Sequence, residues 1–337
     1  RTSFGIALRP AWLRSRLAQT RGSTDACYRS KATLSDMNAT RLARQTSLLL
    51  CLTCASAFAT PITLTDDEGH TLTLPAPARR IVSLAPHLTE LLFAAGAGDH
   101  VVGAVAYSDY PDAARTLPRV GGYSAIDMEA VAALKPDLVI AWKSGNRDAH
   151  LERFAALGIP VFVNEPRSMD DVARSLEQIG TLAGTVGTAN AAARSFRQRR
   201  DALAARYASR PPVRMFYQIW DQPLMTINGK HLISDAMRLC GGSNVFADLG
   251  QLAPRIGTEA VLAANPEVIV ASGMGDSRPE WLDRWQKWPQ LTAVARGNLF
   301  FIPPELMQRH TPRILDGAER LCGQLETARS RRPEPPQ

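Results

Sequence analysis

The sequence of 337 residues predicts an α/β protein made of two similar Rossmann-like lobes with parallel sheets, joined by a single long bridging helix. Three observations predict this fold: an internal repeat, an alternation of strand-like and helix-like segments, and a long helical stretch between the two repeat copies. We therefore assign residues 60–187 to an N-terminal lobe, 188–209 to the bridging helix and 210–329 to a C-terminal lobe.

The internal repeat pairs residues 127–141 with residues 257–271 without a gap. Each copy reads as a short helix, a turn at proline and a fully buried strand. Glu129 aligns with Glu259, so the agreement extends beyond the hydrophobic pattern. We interpret the repeat as a duplicated lobe. The alternative is that any helix, turn and buried strand resemble one another.

The bridging helix is predicted over Thr188–Ser209, where apolar residues recur at helical spacing on one face and arginines lie beside or opposite them. The apolar positions are Ala189, Ala192, Ala193, Phe196, Leu203 and Tyr207. Thr188 is a candidate cap, and Pro211 and Pro212 prevent the helix from continuing. At about 1.5 Å per residue, the helix is roughly 30 Å long.

The other elements alternate along the chain. A hairpin is predicted from the alternating segments 62–65 and 71–74. The remaining predicted strands are 80–85, 101–106, 137–141, 160–163, 213–220, 267–271 and 298–302. The principal predicted helices are 89–96, 151–158, 168–183, 232–240 and 312–328, with a loop over 303–311. Strands and helices that alternate favour parallel sheets covered on both faces.

The two chain ends are read differently. Residues 1–59 hold nine of the 39 Lys and Arg and two of the 32 Asp and Glu, so the remainder is balanced and gives no support for nucleic-acid binding. Residues 37–59 predict a signal peptide, with arginines, a short apolar run and an Ala-Phe-Ala cleavage motif, so we expect an exported protein. Residues 1–36 read as translated upstream sequence; a disordered arm or transit peptide is the alternative. The Arg/Pro-rich tail 330–337 is predicted to be disordered.

Two of the five cysteines, Cys240 and Cys322, lie after the predicted cleavage point. Two thiols in an oxidising compartment suggest one disulfide, and two buried free thiols are the alternative.

A ligand site is predicted between the lobes, because ligands of open parallel sheets sit at the carboxyl ends of the strands. Pro86 and His87 follow the first buried strand. The other residues that follow predicted strands, or lie in a glycine-rich loop nearby, are rich in large rings with a few polar groups. They are Tyr107, Tyr123, Trp142, Trp220, Glu305, Leu306, Met307, Gln308 and Arg309. This set suits a large, partly apolar ligand that also carries amide groups.

Catalytic motifs are missing from the sequence, which holds no G-x-S-x-G, H-E-x-x-H, P-loop or G-x-G-x-x-G. We therefore expect a binding protein and not an enzyme. His87, His150, His231 and His310 are scattered in the sequence, and His87 is interpreted as a solvated or capping residue. A zinc site would need His87 and Glu305 to meet across the cleft, and this alternative stays open.

Several gapless blocks between Arg79 and about Leu325 resemble the family of periplasmic vitamin B12-binding proteins of cobalamin ABC importers. The blocks are R-I-V-S-L-A-P-x-x-T-E-L-L-F-A-A-G, Y-S-D-Y-P, L-K-P-D-L-V-I-A-W, L-C-G-G-x-N-V-F and R-x-x-P-R-I-L with R-L-C. The resemblance implies a class III periplasmic binding protein that captures cobalamin or cobinamide and delivers it to the permease dimer of an ABC importer in the inner membrane. Related binders carry haem or ferric siderophores, which is the alternative; haem would need an iron ligand, with His87 or Tyr107 the candidates.

The resemblance also implies residue roles. Tyr107 falls where the family stacks an aromatic ring on the corrin, and residues 305–309 fall on its corrinoid-contacting loop. Glu129 and Glu259 match two surface glutamates that dock onto the permease, although first-turn glutamates are also favoured by the helix dipole. Cys240 and Cys322 match the family's disulfide.

The sequence departs from the family pattern in its rings. Tyr123 stands where the family often has Trp, and Leu306 and Met307 replace aromatic residues. Fewer rings in the cleft suggest either weaker binding or a modified corrinoid such as cobinamide, and both alternatives stay open. Apart from the transported corrinoid we expect no cofactor, no bound metal and no nucleic acid, and we expect a monomer.

Overall fold

The computed structural model describes residues 60–273, 275 and 277–334. The predicted upstream segment 1–36 and signal peptide 37–59 lie outside these residues. The described chain folds into two α/β lobes with parallel sheets and a long helix between them, which confirms the predicted fold class. None of the described helices is both long and apolar enough to cross a membrane.

The first lobe contains eight strands and four α-helices. In chain order they are β1 (Ile62–Thr65), β2 (Thr71–Leu74), β3 (Ile81–Ser83), α1 (Pro86–Ala94), β4 (Val101–Ala104), β5 (Gly121–Gly122), β6 (Ala125–Ile126), α2 (Met128–Ala133), β7 (Leu138–Trp142), α3 (Asp148–Ala156), β8 (Val161–Asn164) and α4 (Met169–Ala183). The main sheet is parallel throughout in the order β4-β3-β7-β8. The predicted hairpin is β1 paired antiparallel with β2.

The bridging helix and the second lobe follow. Their elements are α5 (Val186–Tyr207), β9 (Val213–Gln218), α6 (Leu232–Leu239), β10 (Gly242–Asn244), α7 (Thr258–Ala264), β11 (Val268–Ala271), α8 (Thr292–Ala295), β12 (Leu299–Phe301), α9 (Pro304–Met307) and α10 (Ile314–Ser330). The sheet is again parallel, in the order β10-β9-β11-β12. Numbered within each lobe, both sheets have the order 2-1-3-4, which supports the interpretation of the sequence repeat as a duplicated lobe.

The repeat extends to backbone conformation and hydrogen bonding. Lys135 and Asn265 both have positive φ just before the proline of their turn. Arg80 donates its guanidinium to the carbonyl of Leu134 at 2.6 Å in the first lobe. Arg214 donates to the carbonyl of Ala264 at 2.7 Å in the second lobe. The same arginine tie therefore closes the helix-to-strand turn in both lobes.

The bridging helix α5 begins and ends two residues before its predicted bounds. Thr188 does not cap it; Thr185 precedes its first residue, and the Thr185 hydroxyl donates to the carbonyl of Ala95 at 2.7 Å. Helix α5 packs closely on α4 at Gly180, where an added Cβ would lie 2.2 Å from the Cβ of Ala189. A glycine is required there because any side chain would push the two helices apart.

One hydrophobic core joins the lobes through α5. A single cluster of buried side chains includes Ile81 of the first lobe, Phe196 of the bridging helix and Val268 of the second lobe. The second lobe is further tied by a disulfide between Cys240 and Cys322, whose Cα atoms are 4.8 Å apart. The predicted disulfide is therefore confirmed.

The predicted C-terminal tail is ordered at its start. Helix α10 runs to Ser330, and the Arg332 guanidinium donates to the two carboxylate oxygens of Glu267 at 2.9 and 3.0 Å. The prediction of disorder from Ser330 is wrong for these residues, because composition did not reveal the carboxylate that holds Arg332. Residues 335–337 lie outside the described part of the chain.

Candidate ligand-binding cleft

The loops that follow strands of both sheets line a cleft of about 810 Å³. Its lining residues are Pro86, His87, Tyr107, Asp109, Tyr110, Arg115, Tyr123, Trp142, Trp220, Gly273, Gly275, Pro304, Glu305, Gln308, Arg309 and Arg313. Seven of the nine residues predicted for the ligand site line this cleft. The structure thus brings together residues from both ends of the sequence at the place where the strand topology predicted a site.

Leu306 and Met307 do not line the cleft, contrary to the prediction. They lie on the short helix α9, inside the segment predicted to be a loop, and both are buried in the shared core. Helix α9 packs against Gly317 of α10, where an added Cβ would lie 2.7 Å from the sulfur of Met307. The helical turn therefore points these two side chains away from the cleft, while Glu305 and Gln308 face it.

Tyr107 presents its ring to the cleft from a strained backbone. Its φ is +64°, and 75% of the residue is exposed. Arg119 donates to the carbonyls of Ser108 at 3.0 Å and Arg115 at 3.3 Å, and so fixes the loop around Tyr107. A non-glycine residue held at positive φ costs free energy, and such residues occur in tight turns and cluster at functional sites.

Trp142 and Tyr123 form a second group of rings in the first lobe, with centroids 5.9 Å apart. The buried amide of Asn146 connects them. Its oxygen accepts from the backbone N–H of Trp142 at 2.7 Å, and its nitrogen donates to the carbonyls of Tyr123 at 2.7 Å and Leu84 at 2.9 Å. Asn146 therefore fixes both rings relative to the end of β3.

The second lobe contributes one exposed ring. Trp220 follows β9 and is 39% exposed, and its indole N–H donates to the carbonyl of Gln222 at 3.0 Å. The side chain of Gln308 lies between the ends of two strands, with its amide nitrogen 3.4 Å from the carbonyls of Ile219 and Ser272.

An ion pair crosses the cleft from Arg309 to Asp109, with 2.6 Å between Nη1 and Oδ1. Arg309 also donates to the carbonyl of Tyr107 at 3.2 Å. Burial raises the pKa of Asp109, but the hydrogen bond and charge of Arg309 outweigh it, so the pKa is lowered overall. Asp109 is therefore ionised at neutral pH and holds the second-lobe arginine against the Tyr107 loop.

A second interlobe ion pair joins Arg313 to Glu90 of α1 through two bonds of 2.7 Å. Glu90 is buried, and the guanidinium also lies 3.9 Å from the ring centroid of Tyr110. This two-point geometry fixes Arg313 in orientation as well as in position.

Three histidines meet beneath the cleft. The rings of His87 and His310 have centroids 5.5 Å apart, and those of His310 and His231 are 5.4 Å apart. His87 and His310 are buried, so the interpretation of His87 as a solvated or capping residue is wrong. Of the four histidines considered above, it is His231 that accepts a helix-capping bond, from the N–H of Ile233 at 3.1 Å.

These imidazoles are neutral at ordinary pH. Burial, together with His310 and Arg309, lowers the pKa of His87 well below its usual value. Burial lowers the pKa of His310 to about 4, and burial with the nearby His310 lowers that of His231 to about 3. In the described chain, no group of three or more His, Cys, Asp or Glu is arranged to hold a metal ion.

Glu129 and Glu259 occupy matching positions outside the cleft. Each is exposed in the first turn of its repeat helix, α2 or α7. Neither carboxylate forms a salt bridge or side-chain hydrogen bond with the described residues. Each helix precedes a strand, so its first turn lies toward the carboxyl edge of its sheet.

Sequence reasoning missed several residues of the site. Asp109, Tyr110 and Arg313 stand inside blocks that carry the family resemblance, so those blocks were a usable signal. Arg119 and Asn146 carry no sequence signal of their own, because their roles depend on which carbonyls the folded loops bring near them.

The fold and the ring-lined interlobe cleft define a class of proteins. The family model described as periplasmic binding protein matches residues 81–306, and the chain belongs to this family. It is a family of binding and transport proteins and not a family of enzymes.

Individual relatives narrow the comparison. The chain is 36% identical over 277 residues to a vitamin B12-binding protein of Vibrio cholerae serotype O1, covering 82% of this chain and 97% of that protein. It is 40% identical over 255 residues to a vitamin B12-binding protein of Yersinia pestis, covering 75% of this chain and 89% of that protein.

Solved structures agree with the sequence relatives. The periplasmic vitamin B12-binding protein BtuF of Vibrio cholerae superposes with a TM-score of 0.69 at 37% identity, covering 75% of this chain and 98% of that one. The periplasmic haem-binding protein RhuT of Roseiflexus sp. RS-1 superposes with a TM-score of 0.65 at 22% identity, covering 74% and 98%. The second likeness shows the fold alone.

Proposed function

We propose that this protein is a solute-binding protein that captures a corrinoid between its two lobes and delivers it to the permease of an ABC importer. The observation that supports this most is the ring-lined interlobe cleft in a chain that matches vitamin B12-binding proteins over nearly their whole length. The proposal includes a periplasmic location, an exported monomer with one lobe on each side of α5, and transport without catalysis. The corrinoid is cargo and not a cofactor.

The division of the cleft lining fits a corrinoid. A flat, partly apolar macrocycle suits the faces of Tyr107, Tyr123, Trp142 and Trp220, because stacking and apolar burial act on the same surface. Amide side chains at the rim of the macrocycle need hydrogen-bond partners when they leave water. The polar groups of the second lobe, such as Gln308, are of the type that supplies them.

The experiment is an absorbance titration of purified protein with cyanocobalamin, dicyanocobinamide and haem, measured side by side. We expect saturable binding of one or both corrinoids and weaker binding of haem. Haem that binds more tightly than either corrinoid would overturn the proposal in favour of the related haem carriers. The ratio of the two corrinoid affinities distinguishes cobalamin from cobinamide as the preferred cargo.

We further propose that Glu129 and Glu259 dock the protein onto the permease, one from each lobe. Support comes from their exposure, their matching first-turn positions and their freedom from salt bridges in the described chain. Two related lobes that present one acidic group each suit a permease with two-fold symmetry. Exposed charges of this kind set orientation and association rate more than affinity.

The docking test is the double variant Glu129→Lys with Glu259→Lys. We expect corrinoid uptake by a deletion strain to be lost, while the ligand affinity of the purified protein stays unchanged. A matched control reverses Glu152 on α3, which is also exposed but has no counterpart in the repeat. Loss of ligand affinity in the double variant, or normal uptake, would contradict the docking role.

A further inference from the structure

One short segment of the second lobe, residues 308–313, holds several of the polar contacts between the lobes. Arg309 binds Asp109 and the carbonyl of Tyr107, and Arg313 binds Glu90. Between these two arginines, His310 is inserted against the first lobe, with its ring near both His87 and Trp142. A change of charge at His310 therefore acts directly on the contact that closes the cleft.

The histidine seam, defined as His87, His310 and His231, is unusual because two of its ring nitrogens are buried and unsatisfied. Nε2 of His87 and Nδ1 of His310 are buried without a hydrogen-bond partner, as is Nε1 of the adjacent Trp142. Buried polar atoms without partners cost free energy, so they weaken the contact between the lobes at this point. A wider separation of the lobes would let water reach these atoms.

The charged groups around the seam do not favour a proton on it. After burial and His310, the positive charge of Arg309 is a further cause that lowers the pKa of His87. The carboxylates on the neighbouring elements are engaged: Glu90 on α1 binds Arg313, and Asp109 binds Arg309.

The same holds on the two remaining elements. Asp235 on α6 accepts from Arg238 and from the N–H of Met169, and Glu305 on α9 acts on Arg313. A proton added to the seam therefore meets cationic neighbours and carboxylates that are already engaged.

We propose that the histidine seam is an acid-sensitive latch, in which protonation of His87 and His310 separates the lobes and releases the ligand. This inference rests on the proposed function, because ligand affinity is one of its readouts. Two imidazolium ions about 5.5 Å apart between Arg309 and Arg313 repel each other, and the repulsion is relieved when the lobes move apart. The same movement would stretch the two arginine ion pairs that cross the cleft.

The sign of the pH effect follows from linkage. The closed cleft holds the imidazoles neutral, whereas the open cleft exposes them to water, where a histidine pKa is about 6.5. Opening therefore takes up as many as two protons, so ligand affinity falls as the pH drops below about 6.5.

The test measures the dissociation constant of cyanocobalamin at pH 7.5 and pH 5.0 for the native protein, His310→Gln, His87→Gln and the control His70→Gln. His70 lies on the exposed hairpin, with a side chain that is 74% exposed. We expect the native protein and the control to bind at least about 10-fold more weakly at pH 5.0, and each seam variant to lose most of that dependence. Affinity that is independent of pH in the native protein would overturn the latch and leave the proposed function intact. Failure to bind at pH 7.5 would overturn the proposed function itself.

A second measurement needs no variant and no ligand. Small-angle X-ray scattering of the native protein at the two pH values should show a larger radius of gyration at pH 5.0, while the helical circular dichroism signal stays unchanged. An unchanged radius would overturn the latch. Loss of the helical signal would also overturn it, because acid would then be unfolding the protein and not opening the cleft.

Discussion

The two lobes share one sheet order and one arginine tie, but they present different chemistry to the cleft. The first lobe contributes Tyr107, Tyr110, Tyr123 and Trp142, whereas Trp220 is the one ring among the described cleft residues of the second lobe. The second lobe supplies polar and charged side chains instead. The arginine ties that the lobes share lie at the amino ends of the strands. The cleft side chains, which differ between the lobes, follow the carboxyl ends of the strands.

This division indicates how a duplicated lobe acquires an asymmetric site. The Arg80 and Arg214 ties lie at the opposite end of the strands from the cleft, where they hold the fold together. The segments that follow the strands lie outside the sheet ladders, so their cleft-facing side chains are freer to differ between the lobes. Each prediction below tests one side of this contrast.

The largest effect is expected from the disulfide, which ties the second lobe alone; no cysteine lies between residues 60 and 239. Replacing Cys240 and Cys322 with serine should lower the free energy of unfolding by roughly 4–5 kcal/mol, because the bond closes a long loop in the unfolded chain. Chemical denaturation with and without the pair measures this. An unchanged midpoint would show that the second lobe does not depend on its covalent tie.

The next largest effect concerns the seam between the lobes. The folded pKa of His310 is about 4 and that of His231 about 3, both below the unfolded value of 6.5. The unfolded chain therefore binds more protons in this range, and stability is lost as the pH falls below about 6.5. Each histidine should cost about 1.4 kcal/mol of unfolding free energy between pH 7.5 and pH 5.5.

Denaturation curves at both pH values test this cost in the native protein and in His310→Gln. The variant should show a smaller loss at pH 5.5. An equal loss in both proteins would mean that other groups titrate, and that the seam does not set the acid sensitivity of the contact between the lobes.

The third prediction compares one ring from each lobe. Tyr107→Ala should weaken corrinoid binding by about 10- to 100-fold, because alanine cannot stack on the macrocycle as the exposed tyrosine ring does. Trp220→Ala should cost less, since this ring is less exposed before binding. Calorimetric titration measures both, with Tyr107→Phe as the control that keeps the ring. A larger loss in Trp220→Ala would reverse the assignment of the aromatic surface to the first lobe.

The smallest effect is expected at Arg119, which touches carbonyls and not the ligand. Arg119→Gln should weaken binding by about 3- to 10-fold, because the loop that holds Tyr107 at positive φ loses its clamp. Hydrogen exchange should rise over residues 105–115 in the variant and stay unchanged in the exposed control Arg153→Gln. Weaker binding without faster exchange would show that Arg119 acts in another way.

Part of this molecule could be predicted because its signals are local. The repeat and the alternation of apolar segments led to two parallel sheets, and the residues that follow their strands led to most of the cleft. Leu306 and Met307 were misplaced because a segment of four residues around Pro304 gave no helical period to follow. One turn of helix decides which of four consecutive side chains face a ligand.

The rest depends on contacts between distant residues. Asp109 and Arg309 are 200 positions apart in the sequence, and no local pattern near either residue predicts that they form a pair. The three histidines were visible in the sequence only as scattered residues. Their proximity exists because the segment before α10 returns to the first lobe, a path that the order of strands does not specify.

The shared core has a consequence for expressing the two lobes as separate polypeptides. One apolar interior runs from Ile81 through Phe196 to Val268. A polypeptide interrupted after Ser209 therefore gives two fragments, each of which exposes apolar side chains to water. Neither piece would be an autonomous module, although each carries a complete sheet. When the two fragments are co-expressed, they should associate and co-elute as a heterodimer, because association buries the shared apolar interior again.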